Sequence, residues 1–163
     1  MVIKEKIERE NQISEIRDFN RFYLLRFQLL NEKPFRSEYS LAEILVLNML
    51  AEKPNIVSSE LACQLQLDDG YLSRTLKLLV RKGLVDRRRS IQDSRKWLFN
   101  LTKNGNLEQN KLDEKYKQRL ESFISKLSDN QVQDLLFAMD KIRTLTATSL
   151  SRKKFNSNNS ELL

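Results

Sequence analysis

Three glycines and two prolines are all the backbone breakers in this chain of 163 residues, and their positions partition it. Glycine frees the backbone, while proline locks φ and removes a donor, so long stretches without either favour helices over a turn-rich sandwich. Pro34 closes a first segment, from about residue 3 to 30. There Ile16, Phe19, Tyr23, Phe27 and Leu30 recur at helical steps, with Ile3 and Ile7 upstream. Pro54 closes a second helix, which opens with capping-box spacing at Ser40-Leu-Ala-Glu43 and runs to about Glu52. Ser58 is expected to cap a short helix over 59–66, with Leu61, Ala62 and Leu65 on one face. The turn Leu67-Asp68-Asp69-Gly70 offers Asp69 as N-cap of a helix over 70–82. Its buried stripe is Leu72, Leu76 and Leu79, and Gly83 stands where a left-handed C-cap is wanted.

Two short helices joined by a tight turn, the second basic on its outer faces, form a helix-turn-helix. Two strand-like runs follow, 84–89 and 96–101. In the second, Trp97, Phe99 and Leu101 alternate onto one face, and the Ser90–Ser94 segment between the runs reads as an exposed hairpin tip. Beyond Thr102 the chain is helical again, through Leu112, Tyr116, Leu120, Phe123 and Leu127. After a second capping box at Ser128–Gln131 comes the stripe Val132, Leu135, Met139 and Ile142. The fold class is therefore mainly α: a winged helix-turn-helix with a short β-hairpin wing, flanked by N- and C-terminal helices. The expected organisation is a single domain over 1–163. Its DNA-binding lobe spans 40–102, its dimerisation helices span 1–33 and 103–150, and a disordered tail spans 151–163.

Charge narrows the function. Between Tyr71 and Lys103 stand ten basic residues (Arg74, Lys77, Arg81, Lys82, Arg87, Arg88, Arg89, Arg95, Lys96 and Lys103) against two acids, Asp86 and Asp93, a net of +8. The whole chain carries +7, so everything outside this stretch nets −1. Positive charge concentrated in an otherwise balanced chain is the footprint of a phosphate-backbone binder, whereas a face kept for solubility would spread it. Histidine is absent and Cys63 is the single cysteine. Those counts exclude disulfide frameworks, zinc fingers and imidazole-based triads, and no enzyme activity, metal or cofactor is expected. The longest apolar run, Ile44 to Leu50, is broken by Asn48 and is too short for a bilayer. With no apolar signal core and a single cysteine, no membrane partner and a cytoplasmic location are expected.

Asp93-Ser-Arg95, followed by Leu101-Thr102-Lys-Asn-Gly105, resembles the wing signature of the MarR regulators. Leu72-Ser73-Arg74 with Leu76, Leu79 and Lys82-Gly83-Leu84-Val85 resembles their recognition helix entering the first wing strand. The likeness extends over about residues 5 to 148. Within it, Arg17-Asp-Phe19-Asn20-Arg21-Phe22-Tyr23 and Leu67-Asp-Asp-Gly70-Tyr71-Leu-Ser-Arg74 are similar to the regulatory half of helix-turn-helix proteins fused to a GNAT acetyltransferase. The resemblance implies a homodimeric repressor that binds double-stranded DNA at a pseudo-palindromic operator, with half-sites about 10–10.5 base pairs apart or a multiple.

In that reading Gly70, Tyr71, Ser73, Arg74 and Lys77 belong to the helix in the major groove. Arg74 either pairs with a guanine edge or contacts phosphate, and Tyr71 either contacts DNA or packs beside the helix start. Arg95 is the minor-groove residue, and the resemblance gives Asp93 the task of holding it and the wing. Arg87, Arg88, Arg89 and Lys96 supply phosphate contacts, with alternation placing Arg87 and Arg89 opposite Arg88. A small aromatic or anionic effector is implied between the dimerisation helices and the DNA-binding lobe. Phe19, Phe22, Tyr23 and Phe27 either line that crevice or form dimer core, and helical stripes favour core. Cys63 has no nearby cation in sequence to activate it and reads as a structural or semi-exposed thiol rather than a redox sensor. The rival functions are the regulatory fragment of an acetyltransferase fusion and a non-specific architectural DNA binder.

Overall fold

The chain begins helical because nothing interrupts its first helix, α1 (Val2–Arg26), in a computed structural model that describes residues 2–27 and 37–157. Leu30 and Pro34, which were to end that element, lie outside the described residues. There follow α2 (Leu41–Glu52), β1 (Ile56–Val57), α3 (Ser58–Leu65), α4 (Asp69–Arg81), β2 (Val85–Arg89), β3 (Trp97–Leu101), α5 (Lys103–Ile124) and α6 (Asp129–Ser157). The fold is mainly α, with a small three-stranded antiparallel sheet. Contacts divide the chain into two units, Met1–Tyr116 and Lys117–Leu163. Helix α6 continues to Ser157, into the segment expected as a disordered tail. Among the described residues no helix is long and apolar enough to cross a membrane.

Local chemistry sets the helix ends. The Ser40 hydroxyl accepts from the Glu43 N–H at 3.3 Å while the Glu43 carboxylate accepts from the Ser40 N–H at 2.8 Å, a complete capping box. Ser128 and Gln131 repeat that exchange at the start of α6. Gly83 has φ +69°, the left-handed conformation that suits a residue without Cβ.

Two caps differ from expectation. Ser58 is the first residue of α3, and Val57 takes the N-cap position without a side-chain bond, because residues 56–57 are held in a strand. At α4 the cap is Asp68 rather than Asp69. Its Oδ1 accepts from the Tyr71 N–H at 2.9 Å, and Asp69 becomes the acidic first-turn residue, favourable beside the positive end of the helix dipole.

The sheet has the order β1-β3-β2. The hairpin pairs Val85 with Leu101, Arg87 with Phe99 and Arg89 with Trp97. Strand β1 has only two residues, too few for any periodicity, and pairs Ile56 with Phe99 and Val57 with Leu98. β3 is therefore central, and a sheet edge that would otherwise be open is covered.

The core lies under the helix-turn-helix. Val46, Leu47, Leu61, Leu72 and Leu79 are wholly buried, Leu50, Ile56, Leu76 and Val85 nearly so, and Phe99 and Leu112 join the cluster. Trp97 and Leu101 pack against it half-buried. By contrast, α1 and α6 leave many apolar side chains open, although Tyr23 and Phe27 of the first stripe and Val132 and Leu135 of the last are half-buried. Ile7, Ile13, Ile16, Phe19, Phe22 and Leu25 of α1 are exposed, as are Leu136, Phe137, Met139, Ile142 and Leu145 of α6.

Candidate nucleic-acid interface

Helix α4 divides cleanly. Leu72, Thr75, Leu76 and Leu79 are buried, and the Thr75 hydroxyl is satisfied by the Tyr71 carbonyl at 3.0 Å. Tyr71, Arg74, Lys77 and Arg81 are exposed, and Ser73 is half-buried. The Arg74 guanidinium lies 6.0 Å from the centre of the Tyr71 ring, so these two side chains are neighbours at the helix start. A Cβ at Gly70 would stand 3.1 Å from Asp68 Oδ1 and 3.6 Å from Arg74 Nη1. The glycine thus leaves room for the cap and for the arginine beside it.

One concave face gathers Tyr71, Ser73, Arg74, Lys77 and Arg81 of α4 with Arg87 of β2. Helix α4 and strand β2 therefore present cations to the same space. Arg88 points elsewhere. Its Nη2 donates to Asn55 Oδ1 at 2.6 Å, and with Arg89, Ile91, Gln92 and Leu98 it lines a separate recess. Asn55 is fixed in turn, in the left-handed region at φ 63°, by donating its N–H to Asn100 Oδ1 at 2.8 Å. Arg87 and Arg89 share the other face, where both guanidinium carbons lie over the Trp97 ring, at 4.5 and 4.2 Å from its centre. Strand alternation foretold that division. The two partners, Asn55 and Trp97, carried no signal beyond the strand register.

The turn of the wing is built around Ser90 and Asp93. Ser90, expected at an exposed tip, is buried: its N–H donates to the Lys96 carbonyl at 3.0 Å, and its hydroxyl accepts from the Asp93 N–H at 3.3 Å. Ile91 beside it is 99% exposed. One oxygen of Asp93 accepts from the Arg95 N–H at 3.0 Å, and the other pairs with Lys96 Nζ at 3.7 Å. Asp93 thus grips the backbone of Arg95 and the ammonium of Lys96. The exposed Arg95 side chain projects from a turn whose main chain is held on both sides.

A partly buried ion pair, with Glu43 buried and Lys82 reaching solvent, sets the far end of α4. Lys82 Nζ lies 2.6 Å from Glu43 Oε1 and 4.6 Å from the centre of the Tyr39 ring, and the Tyr39 hydroxyl donates to Glu108 at 3.4 Å. Burial pushes the Glu43 carboxyl up. The Lys82 hydrogen bond, the bonds from Ser40 and the Lys82 charge together outweigh it and hold the carboxyl below its ordinary value.

The α1 aromatics form a ladder. Phe19 and Tyr23 have ring centres 6.0 Å apart, Tyr23 and Phe27 4.6 Å, and Phe22 stands exposed beside them. Cys63 is exposed on α3. Among the described residues no group of three His, Cys, Asp or Glu is placed to hold a metal ion.

The MarR family model matches residues 39–97. The HTH-type transcriptional regulator BilQ of Clostridium symbiosum (strain WAL-14163) is 26% identical over 105 residues, which is 64% of this chain and 73% of that protein. A mutant MarR from E. coli, solved in complex with operator DNA, aligns with a TM-score of 0.67 and 27% identity over 81% of this chain and 95% of that one. The PcaV transcriptional regulator of Streptomyces coelicolor, solved with its natural ligand, aligns with a TM-score of 0.63 and 25% identity over 80% of this chain and 89% of that one.

Proposed function

This chain is a winged helix-turn-helix protein of the MarR family, and on that premise we propose that it acts as a homodimeric, sequence-specific transcription regulator. It occupies a pseudo-palindromic operator, represses, and is released by a small aromatic or anionic effector. The observation that carries the DNA-binding part is the shared concave face on which Arg74, Lys77 and Arg81 of α4 meet Arg87 of the wing. Phosphate contacts from such a face position a protein, and base edges read by the helix specify the site. Tyr71, Ser73, Arg74 and Lys77 lie in the major groove, while Arg95 enters the adjacent minor groove from the wing. The E. coli relative solved on operator DNA supports binding to double-stranded DNA, and the Streptomyces relative solved with its natural ligand supports effector control.

The dimer rests on a different observation. Phe22 and Leu25 of α1 and Phe137 and Leu145 of α6 are each 58–71% exposed. Exposed apolar side chains on long helices are covered by assembly, and a two-fold partner places two recognition helices on successive major grooves. Regulation is the function of these relatives by name.

Selection from a randomised duplex library at physiological salt tests the proposal. Enrichment of an inverted repeat, bound about 10³–10⁷-fold tighter than the random pool, is the expected result. Equal affinity for both pools leaves a backbone-only, architectural binder and removes the regulator.

A further inference from the structure

Trp97 is the chain's single tryptophan, and two arginines share its ring. Arg89 sits directly across the ladder from Trp97, and Arg87 is two residues away on the same face of β2, across from Phe99. The indole is half-buried, packed against the core from one side. It is thus a fixed platform rather than a mobile surface group. Its two guests lead in different directions. Arg87 faces the concavity shared with α4. Arg89 reaches the turn, where its Nη1 donates to the Ser94 carbonyl at 2.6 Å, next to Arg95.

An exposed arginine loses much rotamer freedom when it grips a phosphate, and that loss subtracts from affinity. A guanidinium stacked on an aromatic face has already lost it, yet keeps donors in its plane for phosphate oxygens. We propose that Trp97 is a positioning residue for DNA: its ring pre-orders Arg87 and Arg89 into a clamp for two stretches of phosphate backbone, one beside the recognition helix and one beside the wing turn. The inference rests on the DNA-binding reading and adds to it a residue outside the charged set. It also makes the indole a reporter, because anything that pulls either arginine away changes its surroundings.

The test uses the full chain and the duplex enriched from the random library, or the random pool where nothing enriches. Without DNA, Arg87→Ala and Arg89→Ala should each change Trp97 emission; unchanged spectra in both would remove the stacked clamp. With DNA, Trp97→Leu should weaken binding about three- to tenfold and Trp97→Phe much less, since a phenyl ring retains a cation–π face. Arginines freed from the ring still neutralise phosphates. The salt slope of Trp97→Leu should therefore stay as in the parent, while Arg87→Ala should lower it by about one. In the Trp97→Leu background, Arg87→Ala should cost less than in the parent, since a shared platform makes the two effects non-additive. Should Trp97→Leu prove too unstable to assay, Trp97→Phe against Trp97→Tyr with the same arginine cycle carries the test. Parent binding with strictly additive effects overturns the clamp alone. A parent that binds no duplex overturns the DNA-binding reading, and the clamp with it.

Discussion

A Cβ on Gly105 would stand 1.9 Å from the carbonyl oxygen of Leu84. The first turn of α5 therefore touches the backbone leaving α4, and Thr102 locks the contact. Its N–H donates to the Leu84 carbonyl at 3.0 Å, and its hydroxyl donates to the Gly83 carbonyl at 2.7 Å while accepting from the Gly105 N–H at 2.9 Å. The Leu-Thr-x-x-Gly run is thus a weld between the wing, the recognition helix and α5. Gly105→Ala should lower stability by about 1–3 kcal/mol, read as a shift of the urea midpoint at unchanged slope. An unshifted midpoint would mean that α5 can slide without cost.

The two aspartates before the recognition helix are not equivalent. Asp68 supplies the cap to the Tyr71 N–H, so Asp68→Ala should cost about 1 kcal/mol. Asp69→Ala removes only a first-turn charge and should cost clearly less. Thermal melts of the two variants side by side decide it, and equal losses would return the cap to Asp69.

Acid should loosen the joint between α2 and α4. Glu43 has its carboxyl held below the ordinary value in the fold, so it binds fewer protons folded than unfolded. Its contribution is present in full above the unfolded pKa of about 4.3 and is lost as pH falls through the lower folded value. Glu108, lowered chiefly by its hydrogen bond from Lys111, titrates in the same window, so the comparison must be between variants. Glu43→Gln should be less stable than the parent at pH 7, and the gap should close towards pH 3. A gap independent of pH would show that the carboxylate charge is not what Lys82 holds.

Arg95 tests the wing. Arg95→Ala leaves Asp93 its backbone bond and the Lys96 ion pair, so circular dichroism and melting should not change. Affinity for the selected operator should fall about tenfold, most on sites with an A·T-rich flank, where a narrow minor groove draws a guanidinium. Unchanged affinity would take Arg95 out of the interface.

Oligomeric state can be read without DNA. Phe22→Arg and Phe137→Arg each put a charge on a side chain that is 58% and 71% exposed in the single chain. The winged lobe should still fold, while sedimentation equilibrium should show weakened self-association and operator affinity should fall with it. Two variants as dimeric as the parent would place the interface elsewhere.

The amino-acid sequence determined by itself whatever depends on neighbours three or four residues apart. Both capping boxes, the left-handed Gly83 and the buried stripe of Leu72, Leu76 and Leu79 stand as their spacing required, because a helix turn brings those residues together wherever it lies. Strand alternation likewise separated Arg87 and Arg89 from Arg88, since side chains on a strand must alternate. Tertiary structure decided what those faces meet. Strand β1 exists only because Ile56 and Val57 find Phe99 and Leu98, far along the chain. Its strand conformation at 56–57 put Val57, not Ser58, at the cap of α3. The need for glycine at 105 comes from the Leu84 backbone, and the ordering of two arginines comes from the Trp97 ring. Such contacts leave no local period, because the distance they close is set by how whole elements pack and not by the rise of any one of them.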